Sequence, residues 1–143
     1  MALYGLSQRT TNVTIANPNW EVRSTAANKP KIMELGVSQV TAAATSYGIG
    51  RPGAIGVTPT TPQTFVDEGD GNGPAANTTA AVAWGTAPTV PTNFNRRFSC
   101  ASAAGVGVIF TFPRGLGIPV TGSIIIWNIT ASVTLDVYAV VDE

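Results

Sequence analysis

The chain has 143 residues, of which 11% are charged, and its eight basic and eight acidic residues leave a formal net charge of zero. This length fits one domain and leaves little room for a second. A surface with few charges and no excess of cations is a poor match for nucleic acid or an anionic membrane, and it repels its own copies only weakly. We therefore expect no nucleic-acid partner, no membrane contact and a homo-oligomer.

Residues that carry most enzyme chemistry are scarce in the sequence. Histidine is absent, which excludes Ser-His-Asp triads, Cys–His pairs and His-containing zinc sites. The single cysteine, Cys100, lies on the same face of a predicted strand as Phe98. This position predicts a small buried residue rather than a nucleophile. The acidic residues are divided among a loop, the C-terminus and strands, with no sign of a hydrolytic carboxylate pair. The chain is therefore predicted not to be an enzyme, with no catalytic residues and no cofactor.

The acidic, glycine-rich tract Asp67–Gly73 is the one segment that raises the question of a metal ion. Counting from Glu68 places Asp70 and Asn72 where a calcium loop has ligands, but Thr79 then stands where the loop requires glutamate. The pattern predicts an exposed loop that holds no metal.

Strand signals recur along the chain, whereas no window of useful length has helical periodicity. Val106–Phe112 alternates in strict period two, as a strand with one buried face requires. Val37–Thr45 is rich in alanine, but the glycines of Tyr47–Gly50 that follow favour an extended segment. The predicted strands are Trp20–Arg23, Lys31–Val37, Ala54–Val57, Ala80–Trp84, Arg96–Ala101, Val106–Phe112, Ser123–Ile129 and Val133–Val141.

Turn residues separate these runs, for example Asn17-Pro18-Asn19, Arg51-Pro52-Gly53 and Pro113-Arg114-Gly115. About eight short strands with regular turns predict an all-β fold, an antiparallel β-sandwich of jelly-roll-like type. An immunoglobulin-type sandwich is the alternative, although its Cys…Trp…Cys framework is missing. Residues 20–143 are predicted to form a single β-sandwich domain, and residues 1–19 an N-terminal arm or edge segment.

The alternation also predicts which side chains face the core. In Lys31–Val37, Leu35 and Val37 share one face and Ile32 lies on the other. Trp84 and Trp127 lie within apolar strands and are expected to be buried, whereas Trp20 is expected to be partly exposed. The predicted core residues are Met33, Leu35, Val82, Phe98, Val108, Phe110, Ile125 and Leu135.

Several segments of the chain resemble small proteins encoded in the structural gene clusters of tailed bacteriophages. In the C-terminal half these are Phe110–Pro119, Ser123–Asn128 and Asp136–Glu143, and in the N-terminal half Ser7–Val13, Glu34–Val37 and Tyr47–Pro52. The likeness covers most of the chain and consists of strand-and-turn patterns.

The resemblance implies a virion component, made in the host cytoplasm. A jelly-roll decoration (cement) protein would bind the major capsid protein on the outer capsid surface and stabilise the shell, with a homotrimer favoured. Candidate partner contacts in the N-terminal segment are Leu3, Tyr4, Leu6, Arg9 and Trp20, since an extended segment can add to a neighbouring sheet edge. The alternative function is a receptor- or carbohydrate-binding module of a phage head or tail fibre.

Overall fold

The structure, a computed structural model, describes residues 2–11, 17–24, 29–54 and 57–143, and its regular elements there are all strands. β3 ends at Gln39 and β4 begins at Thr45, and the residues between them form a bent, irregular connection with no helix. The predicted extended segment is therefore confined to the strand residues at its two ends. The strands are β1 Leu3–Arg9, β2 Pro18–Ser24, β3 Lys31–Gln39, β4 Thr45–Gly50, β5 Val57–Pro59, β6 Gln63–Thr64, β7 Val66–Asp67, β8 Thr78–Ala81, β9 Trp84–Thr86, β10 Arg96–Cys100, β11 Gly107–Gly117, β12 Ser123–Asn128 and β13 Leu135–Asp142.

Two antiparallel sheets pack face to face and form the sandwich. Sheet A has the strand order β11-β3-β13-β1-β7, and sheet B has the order β10-β4-β12-β2-β8-β6. β5 and β9 form a separate two-stranded sheet. The predicted all-β antiparallel sandwich is confirmed.

Eight of these strands have the connectivity of a jelly roll. The first pairs with the last and the others nest inside: β1 with β13, β2 with β12, β3 with β11 and β4 with β10. Rolling this long hairpin brings β3 beside β13 and β4 beside β12, which creates the two sheets. β5 to β9 belong to one insertion between β4 and β10, residues 51–95.

The core is formed by alternate residues of both sheets. Sheet B contributes Trp20, which lies opposite Ile126 and is 1% exposed, so the expectation that it is partly exposed is wrong. Its indole N–H donates to Gln8 Oε1 at 2.6 Å, which satisfies the buried donor. Of the predicted core residues, three are buried and five are half-buried: Leu35, Ile125 and Leu135, then Met33, Val82, Phe98, Val108 and Phe110. Ile125 is buried on the outer side of sheet B, and it lies outside the cluster between the sheets, as do Met33 and Val108. The prediction that the sheets pack through these three residues is therefore wrong.

A bulge in β3 changes the predicted facing of Ile32. Val140 of β13 lies opposite Glu34 and Val141 lies opposite Ile32, so Met33 is an extra residue on the β3 side. One extra residue reverses the alternation beyond it. Ile32 is therefore fully buried in the core, and the prediction that it faces away from Leu35 is wrong.

The N-terminal segment, predicted as an arm or edge segment, contributes β1 to sheet A. Leu3–Arg9 pairs along its whole length with β13, and Tyr4 and Gly5 also pair with β7. The Ala2 amide donates to the Glu143 carbonyl at 2.9 Å, which extends this pairing to the C-terminus. Residues 12–16 of the predicted 1–19 segment lie outside the described residues.

The 51–95 insertion covers the outer face of sheet B. Trp127 points away from the core, yet it is 0% exposed because Phe94 packs edge-on against it, with ring centroids 5.8 Å apart. The predicted strand Ala80–Trp84 is divided between β8 in sheet B and β9, which pairs with β5. Two residues of the predicted Ala54–Val57 strand, 55 and 56, lie outside the described residues.

Candidate functional site

The two outer faces of the sandwich differ in exposure. The insertion buries the outer face of sheet B. The outer face of sheet A has no such cover among the described residues, and we call it the open face. It is the outward side of β11, β3, β13, β1 and β7. Three large hydrophobic side chains project from it: Leu3, 49% exposed, Val66, 64% exposed, and Ile109, 62% exposed. Antiparallel sheets usually turn polar residues toward water. Apolar side chains on this face therefore identify a candidate docking surface.

One row of residues crosses the open face from edge to interior. Ile109 lies opposite Gly36, Gly36 lies opposite Tyr138, and Tyr138 lies opposite Ser7. The ring of Tyr138 covers Gly36, where an added Cβ would come within 1.9 Å of the Tyr138 Cε1 atom. Glycine at this position therefore lets the aromatic ring lie flat across β3.

A hydrogen bond fixes the Tyr138 ring in this orientation. The Tyr138 hydroxyl donates to Glu34 Oε1 at 2.6 Å. This bond to the carboxylate is the main reason that the pKa of Tyr138 is raised, and it holds the phenol in its neutral form. The ring is thus a preorganised feature of the open face.

The neighbouring row carries the charges of this surface. Gly107, Ser38, Asp136 and Arg9 follow one another across the four strands. The Arg9 guanidinium binds the Asp136 carboxylate through two bonds, Nε–Oδ1 at 2.7 Å and Nη2–Oδ2 at 2.8 Å. These bonds lower the pKa of Asp136, and the pair neutralises both charges on the surface.

A groove of about 560 Å³ runs between these rows. Its lining joins apolar, hydroxyl and backbone groups: Ser7, Gly36, Val37, Ser38, Gly105, Gly107, Val108, Ile109, Asp136, Val137 and Tyr138. Because the glycines carry no side chain, an occupant can approach the backbone closely. The two ionisable groups in the lining, Asp136 and Tyr138, are engaged by Arg9 and Glu34. The groove is suited to docking rather than to proton transfer.

The five sequence-predicted contacts are divided between surface and interior. Leu3 and Arg9 lie on the open face, and Leu6 is half-buried against the core. Tyr4 and Trp20 are 3% and 1% exposed, so the strands turn both inward and neither side chain is available to a partner.

Sequence reasoning did not select Ile109, Val66 or Tyr138. The alternation of Val106–Phe112 already places Ile109 on the face opposite Val108 and Phe110, so an outward aliphatic residue was detectable there. Nothing in the local sequence signals that Val66 joins sheet A, because its partner Gly5 lies about 60 residues earlier in the chain, on β1.

Cys100 and the acidic tract Asp67–Gly73 are both accounted for by burial or by hydrogen bonds within the chain. Cys100 is 7% exposed, which confirms its predicted burial, and that burial raises its pKa. The carboxylate of Asp67 accepts the Gly69 and Gly73 amides at 3.0 and 3.1 Å, and these bonds lower its pKa. Among the described residues, no group of three or more His, Cys, Asp or Glu side chains is placed to hold a metal ion.

No family model, no curated protein and no solved structure matches the chain. Within the described ranges, no helix has the length and apolar character needed to cross a bilayer.

Proposed function

We propose that the chain is a structural virion protein that docks on the outer surface of a phage capsid through its open face and stabilises the shell. The observation that carries the proposal is the difference between the two outer faces. The chain covers one of them with its own 51–95 insertion and leaves Leu3, Val66 and Ile109 exposed on the other. The resemblance of its strand-and-turn segments to tailed-phage virion proteins supports the same assignment, with the major capsid protein as partner.

The mechanism is mechanical rather than catalytic. Apolar area removed from water contributes roughly 25 cal/mol per Å², less the cost of association. A copy that spans a junction between capsid subunits must lose this contact before the subunits separate. The engaged carboxylates of the open face and the lack of histidine in the chain support a role without turnover.

Binding to empty capsid shells tests this proposal. Ile109→Lys places a charge on the β11 side of the open face, and we expect it to weaken co-sedimentation with shells at least about tenfold. Val90→Lys is the matched control, because Val90 is 45% exposed but belongs to the insertion on the other side of the sandwich. Equal binding by both variants and the unchanged protein would exclude the open face as the contact.

Glycan recognition is a second candidate, and the composition of the groove favours it. Tyr138 presents an aromatic ring beside the hydroxyls of Ser7 and Ser38 and the carboxylate of Asp136. Saccharides bind such combinations of a flat ring and hydrogen-bonding groups. Glycan-array binding that Tyr138→Ala abolishes and Ile109→Lys preserves would favour this function over capsid docking.

A further inference from the structure

The arginines are concentrated at one side of the sandwich. Four of the six lie there: Arg96 and Arg97 on β10, Arg114 on β11, and Arg51, whose guanidinium donates to the Gly117 carbonyl at 2.7 Å. β10 and β11 are the terminal strands of sheets B and A on this side. We call these four residues the arginine edge.

The guanidinium groups of the arginine edge lack acidic partners. All four residues are exposed, and within the described residues none of them forms an ion pair, whereas Arg9 and Arg23 both do. Arg96 lies over the Phe112 ring and Arg97 over the Phe94 ring, each 5.6 Å from the ring centroid. Stacking on an aromatic face restricts a guanidinium without using its N–H donors. Arg96 gives one of these donors to the Asn95 carbonyl at 2.7 Å.

A concave surface of about 410 Å³ joins two of these cations. Arg96 and Arg114 both line it, together with Phe112, Pro113 and Leu116. A carboxylate entering here meets two guanidinium groups, an arrangement that suits bidentate recognition.

The opposite side of the sandwich is acidic. Asp67 ends β7, the terminal strand of sheet A on that side, and Glu68 and Asp70 follow in an exposed loop. We call residues 67–70 the acidic loop. No described cation forms an ion pair with them. Asp67 accepts the Gly69 and Gly73 amides and Asp70 accepts the Asn72 amide, but these neutral donors leave the negative charge of the loop in place.

The two charged sides are too far apart to neutralise one another. Four strand spacings separate β11 from β7 and five separate β10 from β6. At about 4.8 Å per spacing, these distances are about 19 and 24 Å. Salt screens exposed charges beyond about 8 Å at physiological ionic strength. The net charge of zero is therefore the sum of a basic region and an acidic region that do not neutralise each other.

We infer that copies of this chain associate head to tail, with the acidic loop of one copy docked on the arginine edge of the next. Such a contact is heterologous, and repetition of it around an axis closes a ring. It joins the two edges of the sandwich, and Glu68, which lies over Gly5, also borders the open face. The inference is argued from these edge charges and does not rest on the capsid proposal.

Side chains, rather than a continued sheet, make this contact. The register of β11 against β3 shifts between Thr111 and Leu116, and Pro113 lies within the shifted part. A bulge and a proline both disrupt the row of backbone groups that a neighbouring strand would need. A second copy is favoured over nucleic acid because the same chain supplies the complementary acidic surface.

Charge reversal tests the contact in purified protein without capsids. One variant carries Arg96→Glu and Arg114→Glu, a second carries Glu68→Lys and Asp70→Lys, and a third combines all four changes. We expect the unchanged protein to sediment as an oligomer that dissociates as salt is raised. Each double variant should associate at least about tenfold more weakly, and the combined variant should regain the oligomer.

Three results would overturn the inference. They are a monomeric unchanged protein at low salt, an oligomer that neither double variant weakens, and a combined variant that stays monomeric although circular dichroism shows it folded. Binding of a DNA duplex that Arg96→Glu with Arg114→Glu abolishes, without any self-association, would instead assign the edge to nucleic acid. Since shells are absent from the assay, failure here leaves the capsid proposal to its own test.

Discussion

The ring of Tyr138 and the backbone of Gly36 are in direct contact across two neighbouring strands of sheet A. The contact buries Gly36, although this residue lies on the outward side of the sheet. It also brings the Tyr138 hydroxyl to Glu34, so one glycine determines the shape of the candidate docking surface.

Gly36→Ala is expected to lower the free energy of unfolding by about 1–3 kcal/mol, because the new methyl group displaces the Tyr138 ring. In a Tyr138→Ala background, the same change should cost less than about 0.5 kcal/mol. Urea denaturation of the four proteins measures this coupling. Ser38→Ala, on the same strand and face, is the control. An equal cost in both backgrounds would rule out the contact.

Alkaline pH is expected to destabilise the protein through Tyr47. Burial raises the pKa of Tyr47 to about 12, although a 2.8 Å bond from Gln39 Nε2 acts in the opposite direction. A raised pKa means that the neutral phenol stabilises the folded state below the unfolded pKa of about 10, and that this stabilisation is lost as pH rises toward 12. Tyrosinate absorbance and unfolding free energy against pH measure it. A Tyr47 that titrates near 10 would contradict the expectation.

Two ion pairs should differ in their contribution to stability because they differ in burial. Glu21 is 0% exposed and binds Arg23 at 2.8 Å and the Trp84 indole N–H. Glu21→Gln is expected to cost about 3 kcal/mol, since it leaves a cation in a largely buried site without this partner. Asp136→Asn removes a pair whose side chains are 62% and 48% exposed, and should cost less than about 1 kcal/mol. Equal losses in chemical denaturation would show that burial is not the deciding factor.

Calcium is expected to leave the melting temperature unchanged. The Asp67 carboxylate already accepts two loop amides, and the lowered pKa of Asp67 reflects those bonds. Because its folded pKa is lowered, Asp67 stabilises the loop at neutral pH and loses this contribution as pH falls through that pKa. Thermal melts with calcium and with a chelator test the first expectation. A rise of several degrees that the chelator reverses would show a metal site.

The sequence was most informative where one face of a strand is buried. Val106–Phe112 and Val133–Val141 alternate in period two, and β11 and β13 occupy these regions with the expected side chains inward. The turn residues Arg51-Pro52-Gly53 fall between strands as expected, whereas Pro113-Arg114-Gly115 lies within β11 and Pro18 begins β2, so these two predicted strand breaks are wrong. A strand with one buried face requires alternating apolar and polar residues, and this alternation can be recognised in the sequence.

Other features depend on contacts that no local pattern records. Ile124–Trp127 is a continuous apolar run because both of its faces are covered, the second one by the distant insertion. Such runs are typical of strands buried on both faces, but the run itself does not indicate which distant segment supplies the cover. The bulge at Met33, which turns Ile32 inward, is set by pairing with β13 about a hundred residues away. The open face could not be predicted either, because it is defined by the absence of that cover from one of two similar sheets.

Imaging of decorated capsid shells at residue resolution is the most direct test of the docking proposal. We expect Leu3, Val66 and Ile109 to lie against the capsid subunits, with the 51–95 insertion turned toward solvent. A reconstruction with the insertion against the shell and Ile109 in solvent would contradict it.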